Sequence, residues 1–375
     1  MNGQGESYDV AIVGGGVIGC SVAYYLSKEG AKVVVLEKGD IGCEASSAAA
    51  GMLTPLAEVE EGGPFQDLAV ASLRTFPALA AMLLEETGVD IEYLPSGVLR
   101  VAFNEAEEKH LRSIMAEPQL LKLEWLGPDE IHALEPFVSK GVRGALFSPE
   151  EHQVNANRLV QAFAQGAARH GAQIKPGWAV TGFSREDQRP TGLQTSQGNV
   201  TARNIVLAAG PWTAGLAGML RLALPIYPTR GQIVALPGKS VLRHIVWGSE
   251  GYLVPKANGL IFAGATVERV GFRKNTTVLA QRNLLHMAET LVPRLSAASV
   301  VDCWAGLRPG STDGMPILGS LPGWEGLFVA AGHFRNGILL APITGQLLTR
   351  SILDGHPNET LGPFSADRFG GFSLH

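Results

Sequence analysis

Gly14, Gly16 and Gly19 are the first residues in the chain whose types and spacing can do chemistry. A first glycine permits a tight turn, a second lets a pyrophosphate approach the backbone, and a third lets a helix close on a strand. Glu37 follows 18 residues beyond Gly19. A carboxylate at that distance accepts hydrogen bonds from both hydroxyls of a ribose and repels a 2′-phosphate, which speaks against NADP. Far downstream, Arg308 stands in Gly306-Leu307-Arg308-Pro309, between an apolar run and a Pro-Gly turn. Its guanidinium can grip a carboxylate through two parallel hydrogen bonds, or pair within the protein with Asp302 or Asp313.

The elements around these residues are legible in outline. Tyr8 to Val13 reads as a buried strand, Cys20 to Glu29 as a helix ending at Gly30, and Lys32 to Leu36 as a second strand ending at Glu37. Strand, glycine turn, helix and strand make one βαβ unit, whose first-turn N–H groups suit a phosphate. That unit alone does not separate FAD from NAD. Beyond it the spacing predicts helices over roughly 65–87, 157–170, 278–291 and 339–353. Short strands are expected near 98–103, 174 and 204–209, and at 233–236, 251–254 and 260–263. The interrupted order suggests a dinucleotide domain assembled from distant segments with a strand-rich substrate domain inserted between them. The expected class is therefore α/β (α+β).

Composition narrows the rest. The 375 residues suit two domains, and 46% hydrophobic against 17% charged residues suits a well-buried enzyme. A formal charge of −5 gives no basic field for nucleic acid or an anionic membrane. Cys20, Cys43 and Cys303 are odd in number and widely spaced, without metal-ligand spacing, which suggests a reducing cytoplasm. The leader Met1–Ser7 is polar and lacks the basic start of a signal peptide, and Val10–Val22 is too short and glycine-rich to span a bilayer. A soluble cytoplasmic protein is the expectation.

Three longer stretches carry a resemblance: Ser46–Leu53 (SSAAAGML), Trp304–Gly319 (WAGLRPGSTDGMPILG) and Ala330–Gly345 (AAGHFRNGILLAPITG). With the βαβ unit and Val206–Trp212, they make the chain resemble the glycine oxidases of the FAD-dependent D-amino-acid oxidase superfamily over nearly its whole length. The resemblance implies a Rossmann-like FAD-binding domain, 1–86, 145–221 and 304–375. An antiparallel-sheet substrate domain, 87–144 and 222–303, is implied beside it. FAD is expected to be noncovalent. It would be held by Gly14, Gly16, Val17, Ile18, Gly19, Glu37, Lys38, Ala45, Ser46 and Gly210, with Val180 on the adenine side. Ala50, Gly51 and Met52 would lie near the flavin ring, and Gly332, His333, Phe334, Arg335, Asn336, Gly337 and Ile338 near its pyrimidine edge. The helix starting near Ile338 would point its N-terminal dipole at the flavin and stabilise its reduced anionic form.

By the same resemblance Arg308 binds the substrate carboxylate, Tyr252 assists it, and Arg335 and Met52 border the pocket. Glu250 stands where relatives carry a pocket-side histidine, and Val267 where they carry a methionine, so both bear on substrate preference. The implied reaction passes hydride from a neutral amine to the flavin with no obligatory acid–base residue. The products are imine or glyoxylate, ammonia and H2O2, with glycine, sarcosine or small D-amino acids as substrates and O2 as acceptor. Thiamine thiazole biosynthesis is the implied context and a homotetramer the implied assembly. Close rivals are a D-amino-acid oxidase and a dehydrogenase using another acceptor. An NAD-dependent dehydrogenase and a non-catalytic flavin module stand further off. Cys303 offers a minor possibility of covalent flavin, as in sarcosine oxidases.

Overall fold

The computed structural model describes residues 7–57, 62–116 and 120–370, so Met1–Glu6 of the polar leader lie outside the described residues. The strand Ser7–Val13 runs through the middle of a sheet in the order Ile317–Ser320, Leu327–Ala331, Gly198–Leu207, Ser7–Val13, Val33–Glu37, Gln173–Pro176. Pairing is parallel throughout except at the antiparallel edge strand Ile317–Ser320. The base of Gly198–Leu207 also pairs antiparallel with Arg189–Thr195, which in turn pairs with Val180–Glu186.

Val33, Val34 and Val35 are each wholly buried, because the sheet is covered on both faces. Val10, Ile12, Val33 and Val35 pack among the helices Val17–Lys28, Pro64–Thr87, Ala156–Arg169 and Gly337–Asp354. Ala11, Val13, Val34 and Leu36 face the other way, onto Leu193, Val200 and Leu220. Pro64–Thr87 is long and apolar enough to cross a membrane by length and composition. Here it lies in the core through Leu68, Leu73, Phe76 and Leu83, and its Ser72 hydroxyl donates to the Leu339 carbonyl at 2.5 Å.

The second sheet is ordered Asp302–Ser311, Ile226–Pro237, Leu260–Gly264, Gly251–Pro255, Ile245–Gly248, Val98–Ala102, Gly144–Ser148, Glu124–Leu126. Strand alternation gives it two distinct faces. Val234, Leu236, Leu253, Ile261 and Ala263 pack under the helix Val278–Leu291, whereas Ile233, Tyr252 and Val254 turn toward Ala50 and Met52. Two strands cross the boundaries expected from sequence. Gly144–Ser148 pairs antiparallel with Val98–Ala102, and Asp302–Ser311 pairs along ten residues with Ile226–Pro237. Both therefore belong to this sheet, not to the segments 145–221 and 304–375 of the first unit.

Candidate active site

The glycine turn works through contact distances. Gly14 has φ +111°, and a Cβ there would stand 2.5 Å from the Ala208 carbonyl oxygen, just past the end of the neighbouring strand. A Cβ on Gly19 would stand 1.9 Å from the Gly14 carbonyl oxygen, so Gly19 acts by packing and lines neither of the cavities described here. Gly16 precedes the helix Val17–Lys28, whose first N–H, from Val17, donates to Ser46 Oγ at 3.0 Å. Glu37 is buried at the end of its strand. Its two carboxylate oxygens accept N–H bonds from Gly15 at 2.7 Å and Gly39 at 2.9 Å. Each oxygen keeps lone-pair capacity for a further donor.

These residues border a cavity of ≈ 410 Å³ between the carboxyl ends of the parallel strands and the loop after Glu37. Of the residues expected to hold a cofactor, it brings together Gly14, Gly16, Val17, Ile18, Glu37, Lys38, Ala45, Ser46, Val180, Gly210, His333, Gly337 and Ile338. Trp178, Trp212, Leu216 and Met219 line it as well, and sequence reasoning missed them. Trp212 closes a segment already marked as a glycine turn, and Lys38 Nζ stands 3.3 Å from its ring centroid. Gly332 and Phe334 line neither cavity. They shape the loop instead, with φ +78° and +48°, and the Phe334 N–H donates to the Pro309 carbonyl at 2.8 Å.

A smaller cavity of ≈ 60 Å³ adjoins the first, the two sharing Ala45, Ala49 and Ile338. Around it stand Arg308, Tyr252, Arg335, Met52, Ala50, Gly51 and Asn336, residues drawn from segments up to 286 positions apart. Arg308 Nη1 donates to the Thr266 carbonyl at 2.8 Å. Its guanidinium lies across Gly231, where an added Cβ would come within 2.2 Å of Nη2. The intraprotein pairings considered for Arg308 are not what holds it. Asp313 is taken by Arg368 at 2.6 Å, and Asp302 lies six strand residues away, roughly 20 Å at the usual rise. Tyr252 is 4% exposed and packs on Trp247, its hydroxyl accommodated by Gly264, where a Cβ would stand 3.0 Å away. The guanidinium of Arg335 sits 5.5 Å from the Trp247 ring centroid.

Glu250 is not brought to this pocket. It is exposed in the two-residue turn between Ile245–Gly248 and Gly251–Pro255, and lines neither cavity. The hairpin register pairs Gly248 with Gly251 and leaves Glu250 at the solvent end. Val267, 56% exposed, lines neither cavity as well. Cys303 packs with the cluster beneath Val278–Leu291, and its sulfur accepts from Gln281 Nε2 at 3.2 Å. Alternation along Asp302–Ser311 thus turns it away from the face bearing Trp304 and Arg308.

The model of the DAO family, described as FAD dependent oxidoreductase, matches residues 9–351. The chain belongs to this family. Among relatives of this FAD-dependent oxidoreductase, the glycine oxidase of Bacillus licheniformis is 35% identical over 97% of the chain and 98% of its own length. The bifunctional protein ThiO/ThiG of Synechocystis is 36% identical over 96% of the chain and 54% of its own length. The crystal structure of glycine oxidase from Geobacillus kaustophilus superposes with a TM-score of 0.91 at 38% identity, covering 97% of this chain and all of that one.

FAD fits the larger cavity by its construction. Side-chain-free Gly14 and Gly16 leave a cradle beside a helix N-terminus, Glu37 offers the acidic strand end, and the smaller pocket opens at the far side. His333, wholly buried there with Nε2 3.2 Å from Thr344 Oγ1, is pushed by burial from 6.5 down to about 3. It is neutral near pH 7. As pH falls below 6.5, the unfolded chain takes up a proton that the folded chain refuses until about 3, so this group lowers stability progressively across that window. Thermal melts of His333→Gln should therefore decline less steeply with acidification than those of the parent. Parallel declines would contradict a buried neutral imidazole.

Proposed function

We propose that this FAD-dependent oxidoreductase oxidatively deaminates glycine and other small amines such as sarcosine and small D-amino acids, giving imine or glyoxylate, ammonia and H2O2. The observation that carries the reading is the small pocket beside the cofactor cavity, with Arg308 and Tyr252 on its wall. Arg308 would hold the substrate carboxylate through paired hydrogen bonds, and the Tyr252 hydroxyl would add one more. Met52 and Ile233 supply apolar walls that keep bulky side chains out. FAD held by the glycine turn and Glu37 would supply the electron sink for the amine's α-C–H bond, with O2 as the final acceptor. Protein side chains orient the reacting carbon and exclude water, and none is assigned an obligatory proton transfer.

The glycine oxidases among the relatives support glycine over larger amino acids. A role in thiamine thiazole formation, a cytoplasmic location and a homotetramer belong to the same proposal, each following from the family resemblance. Peroxide release by the purified yellow protein, compared for glycine, sarcosine, D-alanine and D-proline at equal concentration, tests the substrate class. The expected result is peroxide from glycine at rates matching or exceeding the others. Activity confined to bulkier D-amino acids would move the protein to the D-amino-acid oxidases, and no peroxide from any would favour a dehydrogenase with another acceptor.

A further inference from the structure

We propose that Lys256 is a positioning residue for amine oxidation: its half-buried ammonium fixes the wall of the substrate pocket formed by Ala50, Gly51 and Met52. The inference rests on the smaller cavity being the substrate pocket, and extends that reading to a residue lining neither cavity. Lys256 directly follows the strand Gly251–Pro255, four residues beyond Tyr252. Its Nζ donates to the Ala50 carbonyl, the Gln153 Oε1 and the Val154 carbonyl, each at 3.0 Å. An ammonium has three N–H groups, and three acceptors surround this one.

Those acceptors belong to two chain segments that the ammonium ties together. Met52–Leu53 pairs antiparallel with His152–Gln153, and the Val154 N–H donates to the Gly51 carbonyl at 2.8 Å. Gly51 has φ +83°, and a Cβ there would lie 2.0 Å from the Val154 carbonyl oxygen and 3.4 Å from Lys256 Nζ. The ammonium thus stands immediately behind the wall, carried on the residue that directly follows the strand presenting Tyr252 to the same pocket. Glu92 is the carboxylate that faces it, itself held by Arg158 at 3.0 Å and Asn155 Nδ2 at 2.9 Å. The Phe262 ring closes the remaining side, 5.7 Å from Nζ. Burial brings the ammonium down to about 8. A cation kept in such a place needs its acceptors, and one of them, the Ala50 carbonyl, belongs to the pocket wall that the other two brace from behind.

The decisive comparison is Lys256→Met, which keeps the stem and removes the donors, against Lys256→Arg, which keeps donors and charge. Each FAD-loaded variant is titrated with glycolate, an unreactive glycine analogue, by the change in visible flavin absorbance, and then assayed with glycine for kcat and KM. The account expects Lys256→Met to keep its FAD while glycolate affinity and kcat/KM fall about 10- to 100-fold, with Lys256→Arg recovering most of the loss. Should Lys256→Met not accumulate as folded protein, Lys256→Gln is read in the same way. Folded Met or Gln variants matching the parent within about twofold in affinity, kcat and KM would overturn the proposal, as would equal losses in the Arg and Met variants. A parent protein that neither binds glycolate nor oxidises any small amine would instead overturn the functional reading beneath it.

Discussion

Arg308→Ala raises KM for glycine on the order of 10²- to 10³-fold while the protein keeps its full complement of FAD. Truncating one partner of a buried, hydrogen-bonded charge pair costs about 2–5 kcal/mol, and each 1.4 kcal/mol is tenfold. The separation of effects follows from position. Arg308 belongs to the smaller cavity, whereas the phosphate and ribose contacts expected of FAD come from the glycine turn and Glu37 in the larger one. Arg308→Lys should recover only part of the loss, since a point charge cannot reproduce two parallel hydrogen bonds from a planar fork. Steady-state kinetics with glycine, alongside the flavin-to-protein absorbance ratio, checks both claims. Loss of FAD with an unchanged KM would place Arg308 on the cofactor.

Gly14→Ala is expected to have a comparably large effect by a different route. The methyl group would have to occupy space 2.5 Å from the Ala208 oxygen and 2.8 Å from the Ala209 Cα, both backbone atoms just past the end of the central strand Gly198–Leu207. It would also hold an L-residue at φ +111°. Forced backbone strain and overpacking each cost about 1–3 kcal/mol, and neither neighbour can rotate away. The expected protein melts several degrees lower and is purified largely colourless. Gly16→Ala is the contrasting control, because its Cβ meets only Ser46 Oγ, at 3.3 Å. It should remain folded, with any weakening confined to FAD affinity. A Gly14→Ala protein as yellow and as stable as the parent would refute the packing argument.

What the sequence made legible follows the range of the interactions. The βαβ unit was readable because strand, glycine turn, helix and Glu37 lie within about thirty residues, each shaped by its neighbours. Sheet membership at the domain boundaries was not. Whether Gly144–Ser148 or Asp302–Ser311 joins one sheet or the other depends on pairing with strands tens of residues away, which local pattern does not encode. Arg308, Tyr252, Arg335 and Met52 were assembled by resemblance, and the structure brings all four to one pocket. Glu250 failed the same transfer, because a matched position at a hairpin end says nothing about which way the turn opens. Trp178 and Trp212 escaped notice since a tryptophan lining a cavity and one in a core read alike. Lys256 escaped because a lone lysine after a strand reads as surface until its three buried acceptors are seen.

The central claim is that a small-amine pocket opens directly onto bound FAD, and mixing the purified protein with glycine in the absence of oxygen tests it most directly. The account predicts that the visible flavin absorbance bleaches with glycine, that air readmitted after glycine has been removed restores it with release of one peroxide per flavin, and that Arg308→Ala bleaches only at far higher glycine concentration. A flavin that stays fully oxidised with glycine, sarcosine and small D-amino acids alike would contradict it.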